Sequence, residues 1–271
     1  MIRRKTAPPR GILRTEAAEP GRSEHARYHP SPDLAPYVEH YWSVRWDRRA
    51  LEPHRVETLP HPSVHMIFER HIGGRITGVT RGKFSRVLEN EGEIFAVKFT
   101  PGGFFPFLGV PVETLTDVTA SIHDVFGDEG AGLARAVLAE ATDASRIPLV
   151  EGFLRGCRPE AAATLARVTE MVYAVAEDRR IVKVENLVDR YGVRKRTLQR
   201  LFVKYVGVGP KWVIQRYRLH EAAEQLAAGG SLSQAALALQ LGYSDQAHFV
   251  RDFKAMVGTT PAQYARRSRA R

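Results

Sequence analysis

The chain has 271 residues, 44% hydrophobic and 26% charged, which is enough for one large or two medium-sized globular domains and excludes a disordered or fibrous protein. Its 40 basic and 30 acidic side chains leave a formal charge of +10. That charge is unevenly placed, because residues 160–271 carry +9 and residues 1–27 carry +4, while residues 28–159 carry −3. The basic C-terminal third favours a polyanionic partner.

Several features point to a cytoplasmic protein without membrane contact. No run of 18 apolar residues is present that could span a bilayer. The basic start, residues 1–27, lacks the apolar segment of a signal peptide and is predicted to be a flexible tail. A single cysteine, Cys157, excludes an internal disulfide and fits a reducing compartment.

Residues 28–158 have the pattern of a mixed domain. Short runs rich in β-branched and aromatic residues, separated by Gly and Pro, predict an antiparallel sandwich or barrel, with strands at Val64–Phe68, Arg75–Val79 and Ile94–Phe99. From Ser121 to Gly156 the apolar spacing becomes helical. Arg158-Pro159 marks a domain boundary, since proline disfavours helix in the residue before it. Helices are expected throughout residues 160–271.

The last third contains one pattern twice. The shared residues of the two copies lie 50 or 51 positions apart, and they are Gly192, Arg200, Phe202, Gly207 and Pro210 in the first copy and Gly242, Arg251, Phe253, Gly258 and Pro261 in the second. Each copy has an apolar helix, a glycine that permits a tight turn, and a second amphipathic helix. This order predicts two helix-turn-helix units.

In the first unit, apolar residues at i, i+3, i+4 and i+7 predict a support helix that ends before Gly192. The second helix buries Leu198, Leu201 and Phe202. Its opposite face is cationic and carries Arg194, Lys195, Arg196, Gln199, Arg200 and Lys204. Such a face suits a DNA groove, because Arg can bind guanine and Gln can bind adenine through paired hydrogen bonds.

In the second unit, Ser231 or Ser233 is expected to cap the support helix, and Ser244 or Asp245 the second helix. The outward residues of that second helix are Gln246, Ala247, His248, Arg251 and Lys254. Between the units, Pro210 begins a long connecting helix that ends near Gly229-Gly230. Two helices held in this way can enter successive major grooves, about 34 Å apart on one face of DNA.

With these motifs the chain resembles the AraC/XylS family of bacterial transcription regulators. The resemblance covers about residues 180–267 and is carried by GVRKRTLQRLFVKYVGVGPK and LGYSDQAHFVRDFKAMVGTTPAQYAR. It implies base contacts from Arg196, Gln199, Arg200, Gln246, Ala247, His248 and Arg251, and phosphate contacts from Arg194, Lys195, Lys204 and Lys254. Arg194 departs from the family, which usually has a serine N-cap there, and Gln234 and Val188 replace an apolar residue and an alanine.

Residues 32–158 resemble a domain found ahead of the same DNA-binding domain in other regulators. The similar segments are LAPYVEHYWSVRW, TLPHPSVHMIF and FAVKFTPGGFFPFLGVPVETLTD. The resemblance implies a sensor or dimerisation role. Beyond double-stranded DNA, the expected partners are a small-molecule effector, a second copy of the chain and, for an activator, RNA polymerase.

A group of histidines in residues 28–158 raises the question of a metal site: His54, His61, His65 and His71, with Glu69 among them. On a strand, His61, His65 and Glu69 would lie about 13 Å apart in succession, which is too far for common ligands. We therefore expect loop and surface histidines, no metal, no cofactor and no enzymatic activity.

The sequence thus predicts an α+β chain with three parts: a tail (1–27), an N-terminal sensor or dimerisation domain (28–158) and an all-helical DNA-binding domain (160–271). The N-terminal domain combines a barrel-like or sandwich-like antiparallel sheet with helices. The function expected is sequence-specific transcription regulation. Two alternatives stay open: a non-specific architectural DNA-binding protein, and a metal-dependent cupin-like enzyme fused to a DNA-binding domain.

Overall fold

Most strands of the described chain precede its first helix, and most of its helices follow residue 121. The computed structural model describes residues 23–49, 51–157, 163–229 and 233–269. Its strands are β1 (Ser23–Tyr28), β2 (Val38–Asp47), β3 (His54–Thr58), β4 (His65–Glu69), β5 (Gly73–Thr77), β6 (Phe84–Leu88), β7 (Glu91–Phe99) and β8 (Thr119–Ser121). Its helices are α1 (Phe105–Leu108), a 3₁₀ turn (Val112–Leu115), α2 (Ile122–Ala139), α3 (Asp143–Gly156), α4 (Ala163–Glu177), α5 (Val184–Tyr191), α6 (Lys195–Val206), α7 (Pro210–Ala227), α8 (Gln234–Gln240), α9 (Gln246–Val257) and α10 (Pro261–Arg269).

A six-stranded antiparallel sheet forms the centre of the N-terminal part, with the strand order β1-β2-β7-β4-β5-β8. Alternate residues of its strands point to opposite faces. On one face Tyr41, Phe68 and Phe95 are buried beneath α2 and α3. Hydrogen bonds from Tyr28 and Ser43 to the buried Asp143 carboxylate tie α3 to this face.

The other face of the sheet packs against a separate two-stranded ribbon of β3 and β6. Leu88 from β6 joins Trp46, Ile94 and Ala96 of the sheet in a small apolar cluster. Arg86 lies over the Trp46 ring, with its guanidinium carbon 5.3 Å from the ring centroid. A sheet covered by helices on one side and a ribbon on the other confirms the predicted α+β class.

The predicted strands are present with shifted ends. Val64–Phe68 corresponds to β4, Arg75–Val79 to β5 and Ile94–Phe99 to the end of β7. Residues 23–27, assigned from sequence to the tail, instead lie in β1, because their backbone pairs with the long edge of β2 from Ser23–Trp46 to Tyr28–Tyr41. Residues 1–22 and the predicted boundary at 158–159 lie outside the described residues.

One hydrophobic core runs from the sheet into the helical part. Phe99 and Phe104 belong to the same buried cluster as Val168 of α4, Leu187 of α5 and Phe202 of α6. A second core lies mainly among the last four helices, where it includes Leu219, Phe249 and Phe253, and it also contains Leu59 from the loop between β3 and β4. Among the described residues, no helix combines the length and apolar character needed to cross a membrane.

Candidate nucleic-acid interface

The first helix-turn-helix unit consists of α5, Gly192 and α6, as the sequence predicts. Gly192 has a φ of 60°, a left-handed conformation that glycine adopts without strain. The side-chain oxygen of Asn186 accepts hydrogen bonds from the backbone N–H groups of Val182 and Lys183, which fixes the start of α5. Leu187 and Leu198 are fully buried between the two helices and the main core.

The outer face of α6 is solvent-exposed along its length. Its exposed polar and cationic residues are Arg194, Lys195, Arg196, Gln199, Arg200 and Lys204. Arg194 occupies the N-cap and makes no side-chain capping hydrogen bond. Lys195 forms an ion pair with Glu185 at 2.7 Å, and Lys204 lies 4.9 Å above the Phe105 ring. A phosphate contact from either lysine therefore competes with a contact within the chain.

The second helix-turn-helix unit consists of α8, Gly242 and α9. Of the alternative caps, the structure selects Ser233, which accepts from Ala236 N at 3.2 Å, and Asp245, which accepts from His248 N at 2.8 Å. Ser231 lies outside the described residues. At Gly242, whose φ is 82°, a Cβ atom would come within 2.7 Å of the Val182 side chain. This turn therefore packs against the start of the first unit.

The outer face of α9 exposes Gln246, Ala247, Arg251 and Lys254. His248 is half-buried, because its ring packs edge-on against Tyr243 at 5.2 Å and its Nε2 lies 3.4 Å from Asp252. The Gln246 amide donates to Gln234 at 3.3 Å, so Gln234 extends the polar surface instead of packing in the core.

The Asp252 carboxylate of α9 stands next to Arg251 in the sequence, but its partners in the structure include Gln215 and His248. It accepts a hydrogen bond from Gln215 of α7 at 2.7 Å. Within the part of the chain that the structure describes, the guanidinium groups of Arg196, Arg200 and Arg251 make no hydrogen bond or ion pair. These three cations are therefore available to a ligand.

Helices α6 and α9 both contribute residues to the wall of one open cleft of about 820 Å³. Gln199 of α6 lines one side and His248 of α9 the other, while Ile214 and Arg218 of α7 form the floor. The cleft is also lined by Lys183 and Lys211, two exposed lysines that the sequence motifs do not single out and that precede α5 and begin α7. Their positions in the sequence do indicate a phosphate contact. Each lysine stands at the N-cap or in the first turn of a predicted helix, and the N-terminus of a helix attracts anions.

The histidines of the N-terminal part do not converge. His65 lies half-buried on β4, where its Nδ1 accepts from Trp42 at 3.4 Å, and burial lowers its pKa to about 3. The expectation of a loop or surface position is wrong for this residue, because Lys98 lies opposite it on β7 and the Trp42 ring of β2 packs edge-on against it. Glu69 is held by Arg75 and Arg86. No cluster of three or more possible metal ligands occurs among the described residues.

Comparison with protein families gives two matches along the chain. Residues 187–267 match the helix-turn-helix domain family, and residues 26–121 match a domain of unknown function (DUF6597).

Two curated proteins are similar to the C-terminal part. The probable transcription factor PqrA of Proteus vulgaris is 35% identical over 83 residues, covering 31% of this chain and 67% of that protein. The virulence regulon transcriptional activator VirF of Yersinia enterocolitica is 29% identical over 82 residues, or 30% of each chain. The match thus spans two thirds of the first relative and less than one third of the second.

Solved structures also show similarity. ToxT from Vibrio cholerae is 10% identical, with a TM-score of 0.36 over 90% of this chain and 97% of that one. The C-terminal domain of AraT, a response regulator from Geobacillus stearothermophilus, is 22% identical, with a TM-score of 0.34 over 39% of this chain and 85% of that one.

Proposed function

This chain belongs to the AraC/XylS family of transcription regulators, and from that premise we propose that it binds specific double-stranded DNA sequences and controls transcription from them. Residues 160–271 bind DNA, and residues 28–158 form the sensor or dimerisation domain. The main support for the proposal is the shared cleft, because Lys195 and Gln199 of α6 and His248 of α9 all line it.

The bases are read from two helices. Those of the first major groove meet Arg196, Gln199 and Arg200 of α6, and those of the second meet Gln246, Ala247, His248 and Arg251 of α9. Arg and Gln supply paired donors and acceptors to guanine and adenine, while Ala247 offers an apolar contact to a thymine methyl group. The exposed, unpaired state of Arg196, Arg200 and Arg251 supports this assignment.

Phosphate contacts supply most of the affinity and its salt dependence. We assign them to Arg194, Lys195, Lys204 and Lys254, and add Lys183 and Lys211 because they stand at the rim of the cleft. Lys254 has the clearest position, since it is exposed on the last turn of α9.

An effector acts by binding two domain arrangements with different affinities and shifting their populations. The N-terminal part is suited to this role because it shares a core with the first helix-turn-helix unit. The chain acts in the cytoplasm, and an activating form of it contacts RNA polymerase.

Selection from randomised duplexes with the full chain tests the proposal. We expect enrichment of two short motifs whose centres lie about ten base pairs apart. Binding without enrichment of any motif would instead identify a non-specific architectural protein.

We propose a regulator without catalytic activity. The main observation against a cupin-like metal enzyme is that Glu69, one of the three candidate ligands, is neutralised by Arg75 and Arg86. Metal analysis of the purified full chain is expected to find only trace amounts. A tightly held metal in one-to-one ratio would support the enzyme.

A further inference from the structure

Two opposite faces of the connecting helix α7 have different surroundings. Lys211, Ile214 and Arg218 line the cleft between the two helix-turn-helix units. Arg216 lies on the opposite side of the helix, because two residues from Arg218 correspond to about 200° of rotation. It is 1% exposed and contacts the N-terminal part. The N-terminal part therefore contacts the face of α7 that lies opposite the cleft, and it leaves the cleft open.

Arg216 binds the loop that joins β3 to β4. Its Nε donates to the carbonyl oxygen of Pro60 at 2.8 Å, and its Nη2 donates to that of Leu59 at 3.0 Å. Its guanidinium carbon lies 4.7 Å from the Tyr217 ring centroid. In the described part of the chain, no carboxylate forms an ion pair with it. A buried cation is costly without partners, so the two carbonyls are needed to keep Arg216 inside.

The same loop also completes the core of the second unit. The Leu59 side chain is 1% exposed and packs in the cluster that contains Leu237, Phe249 and Phe253. Adjacent to Arg216, Gln215 bonds the Asp252 carboxylate of α9 at 2.7 Å. Two neighbouring residues of α7 thus connect the β3–β4 loop to α9. We call α6 and α9 the first and second recognition helices.

Other contacts hold the first unit to the N-terminal part. Thr116 donates its hydroxyl to the carbonyl oxygen of Gly207, just after α6, at 2.7 Å. The Phe105 and Tyr205 rings are 4.4 Å apart. The two recognition helices are therefore attached at separate points to one sheet domain.

We propose that Arg216 is a positioning residue that fixes the second recognition helix relative to the first through the Leu59–Pro60 carbonyls. The N-terminal part then sets the spacing between half-sites that the chain accepts. This inference rests on the proposed function. One extra base pair moves the second half-site by about 3.4 Å and rotates it by about 35°, so a rigid pair of helices must discriminate against it.

The test uses Arg216→Met in the whole chain, because methionine keeps a long unbranched apolar side chain and removes the buried charge. The probes are the duplex that the wild-type chain selects and the same duplex with one base pair inserted between the motifs. We expect the insertion to weaken wild-type binding about tenfold, a typical strength of coupling between sites, and binding of the variant less than about threefold. Circular dichroism and thermal unfolding establish that the variant is folded.

Arg146→Met is the matched control. Arg146 is also buried, at 4% exposed, but its partners are Glu93 and the Glu140 carbonyl within the N-terminal part. It should lower stability and leave the discrimination between spacings unchanged.

Full discrimination by folded Arg216→Met, or an equal loss in Arg146→Met, would overturn the inference. If Arg216→Met does not fold, Arg216→Lys decides in the same way: reduced discrimination supports the role, and wild-type discrimination contradicts it. Failure to select any motif would instead contradict the proposed function.

Discussion

Two kinds of residue are exposed on α6 and α9, and we expect them to contribute differently to DNA binding. We expect Arg196 and Gln246 to contact bases and Lys254 to contact a phosphate. Arg196→Ala or Gln246→Ala should cost about 1–3 kcal/mol on the selected duplex and relax the preference at particular base positions. The cause is the loss of paired hydrogen bonds to one base. Affinity measurements on single-base variants of the duplex check this.

Lys254→Ala provides the contrast. It should weaken selected and random duplexes alike and lower the salt slope of binding by about one, because a phosphate contact carries no sequence information. Equal losses on selected and random DNA for Arg196→Ala, Gln246→Ala and Lys254→Ala would show that the base-reading faces are misplaced.

Glu39 gives a prediction about acid stability. Burial alone would raise its pKa, but the hydrogen bond from His40 and the charge of Lys98, 3.0 Å away, lower it from 4.5 to about 2. A lowered pKa stabilises the fold above pH 4.5, and this contribution is lost as the pH falls through about 2. In Glu39→Gln, the free energy of unfolding should therefore fall less steeply between these pH values. Denaturant titrations compare the two proteins, and equal slopes would contradict the assignment.

At the level of elements, α6 begins without a side-chain cap, since Arg194 makes none. Arg194→Ser should stabilise the chain by about 1 kcal/mol through a new hydrogen bond to a free N–H group of the first turn. The same change should weaken DNA binding uniformly, because it removes a cation near the phosphates. Denaturant unfolding and binding to selected and random duplexes measure both effects.

Asp245→Ala in the second unit is the matched control for Arg194→Ser. Asp245 caps α9, so its loss should lower stability. A destabilising Arg194→Ser would show that the arginine contributes more to α6 than a cap would.

The helix-turn-helix elements were predictable because their signals are local. The apolar spacing of α5 and α6, and the glycines at 192 and 242, depend on neighbours within a few residues. Strand β1 was not predictable in this way. Most residues of Ser23–Tyr28 are polar, and they form a strand because the edge of β2 offers backbone partners.

For the whole molecule, the contacts that join distant segments were invisible in the sequence. Leu59 looks like any apolar loop residue, yet it is buried in the core of the second unit, and Arg216 looks like one more cation of a basic domain. The sequence placed a boundary near residue 159, while the main core continues across it from Phe99 to Phe202. The basic third of the chain is therefore not uniformly available to DNA, since Arg216 faces inward.

One molecule of this regulator is proposed to read two motifs on one face of DNA. The most direct test of this proposal compares the affinity of the full chain for the selected duplex with its affinity for the same duplex carrying about five extra base pairs between the motifs, half a helical turn. We expect this insertion to reduce binding to the level of random DNA, because the second motif turns away from α9. Unchanged affinity for the longer duplex would contradict the proposal.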